Sequence, residues 1–240
     1  MVAPLVRAVV VAAPSISEIK ISVVIPVLNE QVGIVAHLQR LQLLRQRGHE
    51  VIVVDGGSDD QTVALASPLA DCVLQVGRGR ARQMNAGAAS ASGDVLLFLH
   101  ADTTLPEQVE SELMCALRTH GWGRFDVRLS GSAWVLRLVE RMMNWRSRLT
   151  GVATGDQAMF VRRPLFVGVR GFPEIPLMED VALSKTLRRY ARPWCSRLRV
   201  VTSSRRWEQN GPWRTIWLMW RLRLAYFLGV SPQELAKRYR

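Results

Sequence analysis

The chain has 240 residues, 48% of them hydrophobic, and a formal net charge of +12 at pH 7. That length and apolar content suffice for one full core and exclude a disordered chain. The three cysteines, Cys72, Cys115 and Cys195, are odd in number and widely spaced; they fit neither a disulfide framework nor a zinc site, and point to a reducing cytoplasm. The charge is unevenly placed. Residues 1–120 hold 9 Lys and Arg against 12 Asp and Glu, residues 121–180 hold 9 against 6, and residues 181–240 hold 14 against 2. Five of the eight tryptophans also fall in that last quarter, so this end suits nucleic acid, anionic lipid or a phosphorylated substrate.

In chain order, MVAPLVRAVVVAAP reads as part of an N-terminal extension (1–19) rather than a signal peptide, because no clear cleavage pattern or cysteine framework follows it. KISVVIPVLN (20–29) is a β-branched strand, and a helical pattern runs from about Glu30 to Arg47. EVIVVDGG (50–57) is a second strand, and SDDQTVALASPLA is a helix opened by an N-cap-like Ser58. CVLQV (72–76), the helical RARQMNAGAASA and the strand DVLLFLHA (94–101) complete a βαβαβ rhythm. Near-continuous apolar strands in that rhythm predict an α/β fold, with a parallel sheet covered by helices on both faces. Further on, AMFVRR (158–163) reads as a strand after a turn, and Met178-Glu179-Asp180-Val181 opens a helix. TIWLMWRLRLAYFLGV (215–230) is interrupted by Arg221 and Arg223 and is shorter than the ~20 residues of a spanning helix. Residues 201–240 therefore read as a basic, Trp-rich helical segment. It either lies on an anionic bilayer or packs on the domain with its arginines reaching to water.

Ligands of open α/β sheets lie beyond the carboxyl ends of the strands. Here those ends read Pro26-Val27-Leu28-Asn29-Glu30, Asp55-Gly56-Gly57-Ser58-Asp59-Asp60 and His100-Ala101-Asp102. No GxGxxG follows the first strand and no Walker Lys-Ser/Thr follows a glycine-rich loop, which weighs against dinucleotide redox or P-loop chemistry. Carboxylates near a diphosphate make sense chiefly with a hard divalent cation between them. Arg78, Arg80 and Arg82, with glycines at 77, 79 and 87, offer balancing positive charge and close approach.

ISVVIPVLNE, VVDGGSDDQT, GRARQMNAGAASASGDVLLFLHADT and GFPEIPLMEDVAL together resemble a family 2 glycosyltransferase of the GT-A fold, over about residues 20–190. More narrowly, GDQAMFVRR, LMED and SSRRWEQNG resemble the radical-SAM or selenodomain-associated, arsenosugar-biosynthesis-type subfamily. The resemblance implies a glycosyltransferase domain over 20–200 with a mostly parallel sheet and a C-terminal helical extension. It implies that Pro26, Asn29 and Glu30 hold the nucleotide, that Asp55 contacts the base, and that Asp59, Arg80 and Asn85 fall on further nucleotide-side positions. His100-Ala101-Asp102 falls on the family's Asp-x-Asp, whose second acid binds Mn²⁺ or Mg²⁺ bridging the donor diphosphate. His100 departs from that pattern: a neutral imidazole there either hydrogen-bonds a hydroxyl or ligates the metal. Asp180 matches the catalytic base, with Glu179 beside it shaping the acceptor site; Asp156 and Gln157 line the donor-sugar or acceptor pocket.

The reaction implied is metal-dependent, inverting transfer of a single sugar from a nucleotide-diphosphate sugar, expected to be UDP-linked, to a hydroxyl acceptor. The family's Gln-x-x-Arg-Trp motif and long spanning helices are not found, which favours single transfer over processive synthesis. A membrane-facing tail would make the acceptor lipid-linked or amphiphilic, and would place the protein in the cytoplasm on the inner face of the membrane. A nucleic-acid-binding or membrane-surface module on an inactive fold accounts for the tail but leaves the acidic strand ends unexplained, so no nucleic-acid partner is expected. A sugar-phosphate nucleotidyltransferase would want a glycine-rich, basic first loop, which Pro26–Glu30 does not supply.

Overall fold

The computed structural model describes residues 19–239. The expected N-terminal extension therefore lies, except for Ile19, outside the described residues. Four strands, β1 (Ile21–Val27), β2 (Glu50–Asp55), β3 (Cys72–Gln75) and β4 (Val95–Phe98), pair in parallel. Beyond them come β5 (Thr103–Thr104), β6 (Trp122–Leu129), β7 (Phe160–Arg162) and β8 (Trp194–Thr202). All eight form one sheet in the order β3-β2-β1-β4-β7-β6-β8-β5, and β7 is antiparallel to both of its neighbours. The sheet therefore changes character at β7. One half is uniformly parallel, and the other is mixed.

Alternation along the central strands explains why both faces are covered. Val23, Ile25, Val51, Val53 and Leu97 enter one apolar cluster, with Ile34 and Leu38 of α1 (Ile34–Gln39) and Leu113 of α5 (Val109–Leu117). Their neighbours Val24, Ile52, Val54, Leu96 and Phe98 enter a second cluster, with Ala81 and Met84 of α4 (Arg80–Ser90). Strands buried on both sides have no polar face to alternate with, hence the continuous apolar runs. Gly87 sets how closely α4 approaches: a Cβ there would stand 2.4 Å from Val24 Cγ1 and 2.9 Å from Val54 Cγ2.

Three local expectations are corrected. The helix expected over 30–47 is two short ones, α1 and α2 (Gln42–Gln46). The break is a tight turn in which the Leu41 N–H donates to Leu38 O (3.0 Å), while the Gln42 side-chain amide donates to the same carbonyl and to Leu69 O. The next helix, α3 (Thr62–Ala66), begins four residues after Ser58, whose hydroxyl donates to Asp55 instead of capping it. The strand expected to reach 101 ends at Phe98, and His100–Thr103 closes a turn through Thr103 N–H to His100 O (3.0 Å).

On the mixed half, α6 (Trp134–Thr150) packs its Val135, Leu136, Val139 and Met143 inward. A buried charge network pins it to β6: fully buried Arg124 donates to Asp126, and Arg148 of α6 donates to the other oxygen of Asp126 (2.6 Å). The remaining helices are α7 (Arg163–Gly168), α8 (Glu179–Leu187), α9 (Arg205–Asn210), α10 (Pro212–Phe227) and α11 (Pro232–Tyr239). Leu222 of α10 and Leu235 of α11 are buried against Val152, Met178 and Val181, each such side chain contributing about 1.5–3 kcal/mol of burial. The C-terminal segment thus packs on the domain along one side. Among the described residues no helix is long and apolar enough to cross a membrane.

Candidate active site

The register Val27↔Asp55 brings the carboxyl ends of β1 and β2 side by side. Pro26 lies past the last β1 residue paired with β4, Val24↔Phe98, where its missing N–H interrupts no β1–β4 pairing. Asn29 adopts a left-handed conformation, φ 55°, as Asn tolerates better than most residues. Its N–H donates to Ser58 Oγ and its Oδ1 accepts from Asp59 N–H, both at 2.9 Å. Asp55 is buried and accepts from Gly57 N–H (2.9 Å), Ser58 N–H (3.0 Å) and the Ser58 hydroxyl. The Glu30 N–H donates to Thr62 Oγ1 (2.8 Å). These bonds sew the two loops into one shelf, leaving Asp59 exposed at its rim. Gln83 of α4 holds the shelf from beneath, its amide donating to Val27 O and Val54 O, both at 2.8 Å.

Beside the shelf lies a cleft of about 260 Å³. From the parallel half, Arg80, His100 and Asp102 line it; from the mixed half come Thr154, Asp156, Glu179 and Asp180; Trp207, Met219, Leu222 and Arg223 close it from the C-terminal segment. Met178 adopts a left-handed conformation, φ 70°, an unusual state for a non-glycine residue that the packing around it must hold. From that kink α8 starts with Glu179 and Asp180 facing the cleft. Asp180 Oδ2 accepts from Gly155 N–H (2.8 Å) and Oδ1 from Val181 N–H (2.7 Å). Glu179 is buried and pairs with Arg80 at 3.5 Å, where the Arg80 side chain stays half exposed.

Burial, then the neighbouring Asp180, push the Glu179 carboxyl up, with Arg80 opposing. Burial also raises Asp156, against a hydrogen bond from Thr154 and the charge of Arg223. Burial, reinforced by Arg223, lowers Arg146 to about 10. The Glu30 carboxyl is raised by burial and next by the charge of Asp102. His100 is lowered to about 3, by burial and then by Arg80, and is therefore neutral near pH 7.

Among the described residues, no three His, Cys, Asp or Glu side chains converge into a ready metal site. The carboxylate oxygens of Asp102 and of the other acids lining the cleft are nevertheless the hard donors that suit a divalent cation completed by oxygens of a ligand and of water. Asp102 is the residue that would hold it. The His100 Nε2 is buried without a partner in the protein and abuts Gly155, where a Cβ would stand 2.5 Å from it.

Two of the expected site residues face elsewhere. Asn85 donates to Phe172 O (2.8 Å) and accepts from Phe172 N–H (2.9 Å), tying α4 to the 171–172 turn. Gln157 is fully buried and accepts from Thr154 N–H (3.1 Å), closing a capping box on the turn Gly155–Gln157; its neighbour Asp156 lines the cleft instead. Sequence reasoning missed Thr154, Trp207 and Met219, and it read Arg223 only as a cation on the tail. The apolar spacing of the tail signalled a packed face but not what that face covers.

The family model for glycosyl transferase family 2 matches residues 22–165. The chain belongs to glycosyltransferase family 2. Among curated relatives, it is 30% identical over 157 residues to the undecaprenyl-phosphate 4-deoxy-4-formamido-L-arabinose transferase of Serratia proteamaculans, covering 60% of this chain and 48% of that protein. It is 37% identical over 131 residues to an uncharacterized glycosyltransferase of Mycobacterium tuberculosis, covering 50% and 48%. The chain spans about half the length of these curated relatives. Among solved structures, S. aureus TarS 1–349 in complex with UDP-GlcNAc superposes with a TM-score of 0.61 at 19% identity, covering 77% of this chain and 58% of that one. Glucosyl-3-phosphoglycerate synthase from Mycobacterium tuberculosis, in complex with Mn²⁺, UDP and glucosyl-3-phosphoglycerate, superposes at 0.56 and 21%, covering 77% and 71%. The expected GT-A glycosyltransferase fold is therefore the observed one.

Proposed function

We propose that this glycosyltransferase moves a single sugar from a UDP-linked donor to a hydroxyl acceptor, with a divalent cation and with inversion. The observation that carries the reading is that Asp102, from the end of the parallel half, and Asp180, from the start of α8, line the same cleft. The sewn loops holding Asn29, Glu30, Asp55 and Asp59 form the shelf for the nucleotide. Mn²⁺ or Mg²⁺ held by Asp102 would neutralise the departing diphosphate. Arg80, half exposed beside Glu179, adds a fixed positive charge on the same side. Asp180 takes the acceptor proton, and the backbone N–H groups of Gly155 and Val181 hold its two oxygens in place while it does so. The neutral His100 orients a hydroxyl or phosphate rather than supplying charge.

The acceptor end of the cleft is apolar, with Leu177, Val181, Met219 and Leu222 beside Arg223. That suits an amphiphilic or lipid-linked acceptor; the Serratia relative is a transferase named for a lipid carrier, undecaprenyl phosphate, whereas the acceptor proposed here presents a hydroxyl to Asp180. Such an acceptor would place the protein on the cytoplasmic face of a membrane.

The test is the melting temperature with UDP, GDP, CDP or ADP, each with Mn²⁺, with Mg²⁺ and with EDTA, in wild type and Asp102→Ala. A ligand at 100 times its dissociation constant adds about 2.7 kcal/mol of stability. A shift seen with UDP, requiring metal and Asp102, is the expected result. The absence of a shift with every nucleotide overturns the donor assignment.

A further inference from the structure

Helix α10 has two working sides. Met219, Leu222 and Arg223 face the cleft, and the opposite side carries Trp213, Trp217, Trp220, Leu224 and Phe227, each 61–63% exposed. Helix α6, which touches α10, carries a second such stripe: Trp134, Leu138, Met142, Trp145 and Leu149 recur at steps of three and four residues and are all exposed. That recurrence keeps each set on one side of its helix. All five exposed tryptophans of the described residues lie on these two stripes; Trp122 is buried and Trp194 and Trp207 are partly so. Folded monomers rarely leave so many large apolar side chains together in water.

The charges beside the stripes select the occupant. Arg141 on α6 and Arg214 and Arg221 on α10 are exposed, and the Arg221 guanidinium lies 4.5 Å from the centre of the Trp217 ring. Helix α10 carries no acidic residue, and Glu140, the one acid of α6, is buried and paired with Arg137 at 2.8 Å. Indole rings interleaved with arginines match the headgroup boundary of an anionic bilayer: the rings enter the apolar edge and the guanidinium groups meet lipid phosphates.

We propose that the Trp-rich stripes of α6 and α10 form one docking face for an anionic lipid bilayer. The proposal goes beyond the transfer chemistry and does not depend on it, because none of the stripe residues lines the cleft. Docked this way, α10 would separate the membrane from the acceptor end of the cleft by the thickness of one helix.

The test is co-sedimentation of the full chain with phosphatidylglycerol-containing vesicles and with pure phosphatidylcholine vesicles. The triple variant W145S/W217S/W220S and the charge variant R141E/R214E/R221E are measured beside wild type. Melting temperature with UDP and Mn²⁺ checks that each variant is folded and reports the donor site separately. The expected result is binding to the anionic vesicles that weakens with salt, falls about tenfold or more in each variant and is about tenfold weaker on phosphatidylcholine, with the UDP response unchanged. Wild-type binding that ignores lipid charge, or full binding by the tryptophan variant, overturns the proposal. So does a wild-type dimer that the tryptophan variant converts to monomer while neither binds vesicles, which would assign the face to a second copy of the chain.

Discussion

The two halves of the site are built to different standards of completeness. In the parallel half the polar groups of the shelf answer one another: Asn29 bonds Ser58 and Asp59, Ser58 bonds Asp55, and Thr62 and Asp60 take the N–H groups of Glu30 and Gln31, and Gln83 ties both strand ends. Where that half meets the mixed half, buried polar atoms find no partner in the protein: His100 Nε2, Asp156 Oδ1, Gln157 Nε2, and Nε and Nη2 of Arg146. Unmatched buried polar groups each cost roughly 1–3 kcal/mol, so folding alone does not explain their placement. The lesson is a division of labour. The shelf proposed for the nucleotide is finished before any ligand arrives, and the side proposed for the acceptor is left with unmatched hydrogen-bonding groups. The family match, residues 22–165, covers the whole shelf and stops before Asp180, Glu179 and the C-terminal wall.

That contrast can be broken by substitution. The largest effect is expected at the two facing acids: Asp102→Ala and Asp180→Ala should each lower transfer by about 10²–10⁴ or more, yet only Asp102→Ala should remove metal-dependent UDP binding. Equal binding losses, measured by calorimetry, would erase the distinction between the halves. Next is Asp126→Asn, which leaves Arg124 buried and short of a counter-charge; chemical denaturation should show a loss of about 3–5 kcal/mol. An unchanged midpoint would mean that α6 is held to β6 by its apolar contacts and by Glu140 and Asn144, without need of this charge network.

His37 is the exception in the parallel half, since its buried Nε2 also has no partner in the protein. Burial, and then Arg40, hold its pKa at about 4 against 6.5 in the unfolded chain. Between those values the unfolded state binds more protons. Stability should therefore fall as pH drops from 6.5 towards 4, by about 3 kcal/mol in full. His37→Leu should flatten that part of the melting curve against pH, and a slope equal to wild type would refute the assignment. The smallest effect separates scaffold from contact at Asn85. Asn85→Ala should cost about 1–3 kcal/mol and leave the UDP-induced shift intact. A lost UDP shift with unchanged stability would return Asn85 to the nucleotide.

The parallel half was legible because its strands are short apolar runs closed by Asp, Gly and Asn, and each such end is a local signal. The βαβαβ rhythm foretold parallel pairing of its strands but not their order, and the resemblance to family 2 named Asp102, Arg80, Glu179 and Asp180, all of which line the cleft. What stayed hidden depended on contacts distant in sequence. Ser58 reads as a helix cap until Asp55 is seen to take its hydroxyl, and Asn85 reads as a ligand contact until Phe172, 87 residues away, takes both ends of its amide. The exposed stripe of α6 was in the spacing of Trp134, Leu138, Met142, Trp145 and Leu149. Periodicity alone does not say which side of a helix meets the core, and the inward set Val135, Leu136, Val139 and Met143 is apolar as well.

Gly155 stands where the two halves meet. One side of its peptide gives its N–H to Asp180, and its α-carbon lies against the His100 ring. The clearance between the loop that carries Asp102 and the helix that carries Asp180 is therefore set by a residue with no side chain to yield. A single added methyl group there would act as a shim against the His100 ring, prying apart the two acids proposed to carry the transfer without changing any side chain proposed to touch a substrate.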